Sequence, residues 1–247
     1  MTEAIPAATI VLFRDRASGP PELLMVERAA TMAFAGGAMV FPGGRIDPGD
    51  SVLAELAAPE MDDGAGRIAA IRETLEETGI AIGFDPLPST EECRAMRARL
   101  HDNETLGAVL GGRRLALDGL IPFARWLPAH AHMRIFDTLF YIAALPPGSP
   151  EPVVDATENV TARWTTAADV LAAADAGTAH IIFPTRRNLE RLARYASFAA
   201  AVADARAHPV RTITPFAEER EGGMHLCIPD DLGYPVTSEL ITRALRG

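Results

Sequence analysis

One segment, residues 66–78, constrains the fold more than any other part of the chain. Ile68, Ile71 and Leu75 recur along it at helical spacing, and Gly79 follows as a C-terminal stop. An apolar stripe of this kind needs a core to pack against. The segment is therefore predicted to be an amphipathic helix that lies with one face on the hydrophobic interior.

The opposite face of this predicted helix carries three glutamates. Glu73, Glu76 and Glu77 stand at i, i+3 and i+4, so their carboxylates meet on one side of the helix. Like charges this close repel unless a cation lies among them, and proteins bind Mg²⁺ through a few carboxylates together with water and phosphate. The ordinary alternative is a solvated acidic face. The residues around the three glutamates bear on that choice.

The rest of the chain mixes strand-like and helical patterns. Short β-branched or apolar runs predict strands at residues 7–13, 22–27, 38–41, 120–126, 136–145, 160–165, 210–213 and 224–228. Helical patterns occupy residues 91–101, opened by a capping box at Ser89 and Glu92, residues 167–176, and residues 185–207, a long Ala-rich helix entered at Pro184. Since no regular strand–helix–strand repeat is present, the expected fold class is α+β with a mixed sheet.

The composition fits a single domain and argues against two classes of binding partner, nucleic acids and membranes. The chain has 247 residues, 48% of them hydrophobic, which is enough for a single core, so one domain is expected over residues 1–247. The formal net charge of −10 argues against a nucleic-acid partner. No run approaches the roughly 20 apolar residues of a membrane span, and residues 1–8 lack a signal-peptide pattern. A cytoplasmic location without a membrane partner is expected.

The sequence around the three glutamates resembles a known motif. From Arg72 to Ile80 the chain reads R-E-T-L-E-E-T-G-I, which is similar to the second half of the Nudix box, R-E-U-x-E-E-x-G-U with U apolar. The first half of that box, Gly followed by five residues and Glu, is matched from Gly44 to Asp50, with Asp50 in place of Glu. The family places seven residues between that acid and the arginine, whereas this chain has twenty-one. The box therefore spans residues 44–80 with an insertion at about 51–64.

The resemblance implies a fold and a site. The fold would be the Nudix α/β/α sandwich around a mixed sheet, with a C-terminal helical extension at about 185–247. Glu73, Glu76 and Glu77 would bind Mg²⁺ or Mn²⁺, helped by a backbone carbonyl near Gly43, while Arg72 would orient a glutamate. The implied activity is hydrolysis of a phosphoanhydride bond in a nucleoside diphosphate derivative.

A second pattern concerns the substrate. Residues 24–44 keep the spacing of the coenzyme A signature, L-L-T-x-R-[SA]-x3-R-x3-G-x3-F-P-G-G, which assigns Arg28, Gly37 and Gly44 to substrate binding. Val26 stands where the signature has Thr, and Ala33 where it has a second Arg. Segments 120–126, 134–138 and 223–226 further resemble the coenzyme A diphosphatase subgroup related to mammalian Nudix hydrolase 19. Coenzyme A or an acyl-coenzyme A is the favoured substrate.

Alternatives remain open at this point. Because guanidinium groups bind phosphate bidentately, the missing arginine at position 33 leaves ADP-ribose, a nucleotide sugar or a dinucleotide as other substrates. A third hypothesis is a non-catalytic domain that binds a nucleotide to regulate a partner.

The roles of some single residues are also open. Glu158 is the candidate general base and would reach the site from a loop; the alternative is that it is simply an exposed loop carboxylate. His130 and His132 are assigned to a surface loop rather than to zinc. The oligomeric state is open, with a homodimer among the options.

Overall fold

The computed structural model describes residues 4–32, 35–128, 135–154 and 158–244. The strands, in chain order, are β1 Ile5–Arg14, β2 Glu22–Arg28, β3 Met39–Val40, β4 Gly43–Arg45, β5 Phe84–Asp85, β6 Arg114–Leu115, β7 Ile121–Trp126, β8 Phe136–Ala144, β9 Asn159–Thr165, β10 Thr212–Ile213, β11 Phe216–Arg220, β12 Gly223–Cys227 and β13 Ser238–Leu240. The helices are α1 Pro48–Ala57, α2 Gly64–Thr78, α3 Thr90–His101, α4 Leu106–Val109, α5 Ala167–Asp175, α6 Phe183–Leu192, α7 Phe198–Ala207 and α8 Ile241–Ala244, with a 3₁₀ turn at Leu117–Gly119.

A mixed sheet forms the centre of the fold. Its strands run in the order β10-β7-β8-β1-β2-β3, with β4 paired to β1 and β9 paired to β2. Strand β1 is parallel to β8 and antiparallel to both β2 and β4. This arrangement confirms the expected α+β class with a mixed sheet.

Helices cover both faces of the sheet. Successive side chains of a strand point to opposite faces, and β1 is buried on both: Ile10 and Leu12 belong to one apolar cluster, while Val11 and Phe13 belong to the other. The first cluster contains the apolar stripe of α2 and residues of α3, whereas the second contains residues of α5, α6 and α7. The layers therefore form the expected α/β/α sandwich.

The structure contains the helix predicted over residues 66–78. Helix α2 spans Gly64–Thr78 and ends at Gly79, which adopts the left-handed conformation at φ 72° that favours glycine. The insertion before it is not a simple loop, because half of it, residues 51–57, belongs to α1, which packs against α2. The capping box at Ser89 is also confirmed, since Ser89 and Glu92 exchange hydrogen bonds at the start of α3.

The prediction of one long helix over residues 185–207 was wrong. Helix α6 ends at Leu192, and α7 begins after Ser197, whose hydroxyl accepts a hydrogen bond from the Ala200 N–H. Arg191 and Asp204 then form an ion pair of 2.7 Å between Nη2 and Oδ2. Thirteen residues along a continuous helix would hold these groups about 20 Å apart, so the pair requires the chain to fold back.

The C-terminal extension is also less helical than expected. It includes a three-stranded antiparallel sheet in the order β11-β12-β13, of which only β12 was predicted.

None of the helices in the described ranges combines the length and the hydropathy that a membrane span requires.

Candidate active site

The glycines of β4 bring the backbone of the sheet against helix α2. The Gly43 N–H donates a hydrogen bond of 3.1 Å to Glu77 Oε2. A Cβ atom on Gly44 would lie 2.5 Å from Glu73 Cδ, which is closer than real Cβ atoms come to a neighbour. Glycine at position 44 therefore leaves the space that the Glu73 carboxylate fills.

Arg72 joins the two halves of the interrupted motif. Its guanidinium is buried and forms an ion pair of 2.9 Å between Nη2 and Asp50 Oδ2. Nη1 donates to Glu73 Oε1 at 2.8 Å and, more weakly, to Glu76 Oε2 at 3.4 Å. Nη2 also donates to the Arg45 carbonyl at 2.8 Å. Arg72 thus fixes one glutamate closely, and Asp50, in place of the usual Glu, fixes Arg72.

Burial disfavours ionisation of the Glu73 and Glu77 side chains. The pKa of Glu77 is raised to about 8, chiefly by loss of hydration and secondly by the negative charge of Glu73. The pKa of Glu73 is raised to about 7, chiefly by burial, against the opposing effect of Arg72. The effect of burial on these two carboxyl groups therefore exceeds the opposing effect of the nearby arginines.

Glu77 has two further neighbours, Asn159 at the start of β9 and Arg28 at the end of β2. The side chain of Asn159, which is almost completely buried at the start of β9, donates a hydrogen bond to the Glu77 carboxylate, and the Arg28 charge lies close enough to lower its pKa. A bulge between Glu27 and Arg28 places Arg28 opposite Asn159. Within the described residues, Arg28 Nε is buried without a hydrogen-bond partner. No sequence motif identified Asn159, although it adjoins Glu158.

The remaining predicted residues lie around this centre. The Gly37 N–H donates to the Arg28 carbonyl at 3.0 Å, so Gly37 supports the strand end that carries Arg28. Glu158 is exposed, its carbonyl accepts from the Ala29 N–H at 2.8 Å, and its charge contributes to the raised pKa of Glu73. Ala33 lies outside the described residues, as do His130, His132 and Arg134.

The donor set suits a hard divalent cation, although no cage is preformed. In the part of the chain that the structure describes, no three Asp, Glu, His or Cys side chains converge closely enough to hold a metal. Arg72 holds Glu73 and Glu76 by hydrogen bonds, and Gly43 and Asn159 hold Glu77. All three side chains offer carboxylate oxygens, which Mg²⁺ and Mn²⁺ prefer over nitrogen or sulfur.

Fold and site together define a class of α+β domain: a mixed sheet between helical layers, with a carboxylate-bearing helix held to a glycine-rich strand. The family model for the NUDIX domain matches residues 4–184, and the chain belongs to that family. The crystal structure of a NUDIX hydrolase from Alicyclobacillus acidocaldarius is 30% identical, with a TM-score of 0.70 over 82% of this chain and 97% of that chain.

A curated relative gives a narrower match. The Caenorhabditis elegans protein named "Putative nudix hydrolase 7" is 28% identical over 136 residues, which are 54% of this chain. The match spans 42% of that relative's length. The likeness therefore concerns the shared domain and not the whole of the relative.

Proposed function

We propose that the protein is a divalent-metal-dependent hydrolase that cleaves a phosphoanhydride bond in a nucleoside diphosphate derivative. The observation that carries the proposal is the pair of carboxylates of Glu77, which is buried, and Glu73, which is largely buried, held between Arg72 and the glycines of β4. Burying acidic groups without full compensation costs free energy. A site for a cation against linked phosphates accounts for that cost.

Glu73, Glu76 and Glu77 would hold the metal, with the backbone carbonyl of Gly43 as a further ligand. Mg²⁺ or Mn²⁺ supplies the positive charge that neutralises phosphate oxygens and makes a bound water more acidic. The raised pKa values of Glu73 and Glu77 fit this assignment, since a bound cation provides the compensation that the two carboxylates lack.

The chain's own residues have separate tasks around the reacting phosphates. Arg72 orients Glu73, and Asn159 holds Glu77 in position. Arg28 binds a substrate phosphate, because its buried Nε–H finds no acceptor among the described residues. Glu158 is the candidate general base, since it is exposed at the edge of the site and its charge acts on Glu73.

We further propose coenzyme A or an acyl-coenzyme A as the substrate. The support is the signature spacing over residues 24–44, together with the unsatisfied Arg28 Nε at the end of β2. Ala33 in place of an arginine favours a second candidate group, namely ADP-ribose, a nucleotide sugar or a dinucleotide, which carry no 3′-phosphate. The cytoplasmic location and the homodimer stay predictions.

A substrate panel tests the proposal. The purified protein is incubated with Mg²⁺ or Mn²⁺ and coenzyme A, ADP-ribose or a dinucleotide, and the products are separated by chromatography. Coenzyme A should give 3′,5′-ADP and phosphopantetheine. Glu76→Gln and Glu77→Gln should lose turnover, while Glu91→Gln, an exposed glutamate on α3, should keep it. If only ADP-ribose is cleaved, ADP-ribose replaces coenzyme A as the proposed substrate. No cleavage of any compound would favour the non-catalytic nucleotide-binding regulator.

A further inference from the structure

The last turn of α2 carries charges that are unfavourable at that end of a helix. Its four residues, 75–78, include Glu76 and Glu77 and no basic residue. Aligned backbone dipoles give the C-terminus of a helix a partial negative charge, which favours cations there and disfavours carboxylates. The final carbonyls of a helix also lack acceptor partners within it. Two of the proposed metal ligands therefore lie in a turn that needs stabilisation from outside α2.

Arg97 on α3 supplies this stabilisation. Its Nε–H donates a hydrogen bond of 2.7 Å to the Glu76 carbonyl, and its Nη2–H donates one of 3.1 Å to the Glu77 carbonyl. Both carbonyls are among the last four of α2. Hydrogen bonds from a charged donor are stronger than those between neutral groups, and the positive charge offsets the helix dipole. One side chain therefore fixes the main chain of both glutamates.

The packing of α3 against α2 brings Arg97 to this place. Cys93, Met96 and Leu100 are the buried residues of α3, and they belong to the same apolar cluster as the stripe of α2. Arg97 is only partly exposed beside them, and a Cβ atom on Gly79 would lie 3.7 Å from its Nη1. The guanidinium therefore lies across the C-terminal end of α2 rather than in open solvent.

The contacts that Arg72 and His101 make with the Glu76 carboxylate are long. Arg72 Nη1 donates to Glu76 Oε2 at 3.4 Å. His101, one turn after Arg97 on α3, has Nδ1 3.9 Å from Glu76 Oε1, which is beyond hydrogen-bond distance. Neither contact is short enough to fix the carboxylate by itself. The position of Glu76 therefore depends on its main chain, to which Arg97 donates at 2.7 Å.

We propose that Arg97 is a positioning residue of the metal site, which acts through the main chain of α2 and keeps Glu76 and Glu77 where they bind a divalent cation together. This inference rests on the proposed function, because it takes the two glutamates as metal ligands. Arg97 is not itself a ligand. Without it, two carbonyls lose their donor and the last turn loses the cation that offsets the dipole. The turn then frays, and the two carboxylates separate.

Titration of the full chain with Mn²⁺ alone tests the proposal. Arg97→Ala should weaken Mn²⁺ binding by about tenfold or more, which is the usual effect of removing a group that orients a metal ligand. Arg97→Lys should fall between this variant and the wild type, because an ammonium group keeps the charge but does not span both carbonyls as a planar guanidinium does. Arg94→Ala, which removes an exposed arginine from the same helix, should bind Mn²⁺ as the wild type does.

Amide hydrogen exchange of the metal-free protein separates positioning from a general loss of stability. In Arg97→Ala, exchange should become faster at residues 76–79 and stay unchanged in β1 and β8, because only the end of α2 opens.

Wild-type Mn²⁺ affinity in Arg97→Ala overturns the inference, and so does exchange that becomes faster equally in α2, β1 and β8. Glu77→Gln serves as the reference. If it loses Mn²⁺ while Arg97→Ala keeps it, the proposed function stands and the role of Arg97 falls. If the wild type binds no Mn²⁺, both fall.

Discussion

Arg72 Nη2 and Asp50 Oδ2 lie 2.9 Å apart, and both side chains are buried. The two residues are separated along the chain by the insertion that interrupts the NUDIX motif. Because α1 packs against α2, the added residues leave this contact in place. The insertion therefore lengthens the chain between the two halves of the motif without separating them.

Asp50→Ala should destabilise the protein by about 3 kcal/mol, because the buried guanidinium of Arg72 then loses the buried carboxylate with which it forms an ion pair of 2.9 Å. Urea unfolding measures the change. The control is Arg114→Ala, which removes an exposed ion pair with Asp85 and should cost less than about 1 kcal/mol. Equal effects of the two substitutions would contradict a structural role for the Asp50–Arg72 pair.

Gly44→Ala should displace the Glu73 carboxylate, since the added Cβ would lie 2.5 Å from Glu73 Cδ. Affinity for Mn²⁺, measured by titration, and turnover should both fall by about tenfold or more, by analogy with the loss of groups that orient metal ligands. Gly119→Ala is the matched control, because nothing lies within 4 Å of its new methyl group. Undiminished metal affinity in Gly44→Ala would remove Glu73 from the proposed ligand set.

Asn159→Ala should weaken metal binding by about tenfold, because Glu77 loses the side chain that holds it. The KM for substrate should change less than the metal dependence does, since Asn159 acts through Glu77. Thr161→Ala, an exposed change on the same strand, serves as the control. If both variants need the same metal concentration as the wild type, Asn159 does not position Glu77.

The metal-free protein should lose stability as the pH rises. Glu73 and Glu77 have folded-state pKa values of about 7 and about 8, above the 4.5 of an unperturbed glutamate. The folded state therefore holds these protons more tightly than the unfolded state, and the stabilisation, complete below pH 4.5, disappears as pH passes through about 8.

Urea midpoints of the chelator-treated protein, measured below and above this pH range, test that expectation. Glu73→Gln combined with Glu77→Gln should flatten the dependence, because neither amide titrates. Added Mg²⁺ should restore stability at high pH, since the ionised carboxylates bind it. A wild-type protein that is equally stable throughout the range would argue against the raised pKa values.

Local patterns predicted much of the sheet and of the central helix. The strand patterns at 7–13 and 22–27 correspond to β1 and β2, and the apolar stripe with its terminal Gly79 corresponds to α2. These elements bury regular apolar periods, so the sequence carries their signal directly. The same spacing put Glu73, Glu76 and Glu77 on one side of α2, because the side chains of a helix repeat every 3.6 residues.

Contacts between distant segments were decided only by the tertiary structure. The Ala-rich run at 185–207 favours helix throughout, yet it is broken so that Arg191 can pair with Asp204. Asn159 reaches Glu77 only because a bulge aligns β9 with the end of β2. Arg187 on α6 pairs with Glu239 on β13 only because the C-terminal sheet packs near α6. Periodicity describes neighbours along one helix or strand, whereas these contacts join elements whose separation in the sequence carries no information about their distance in space.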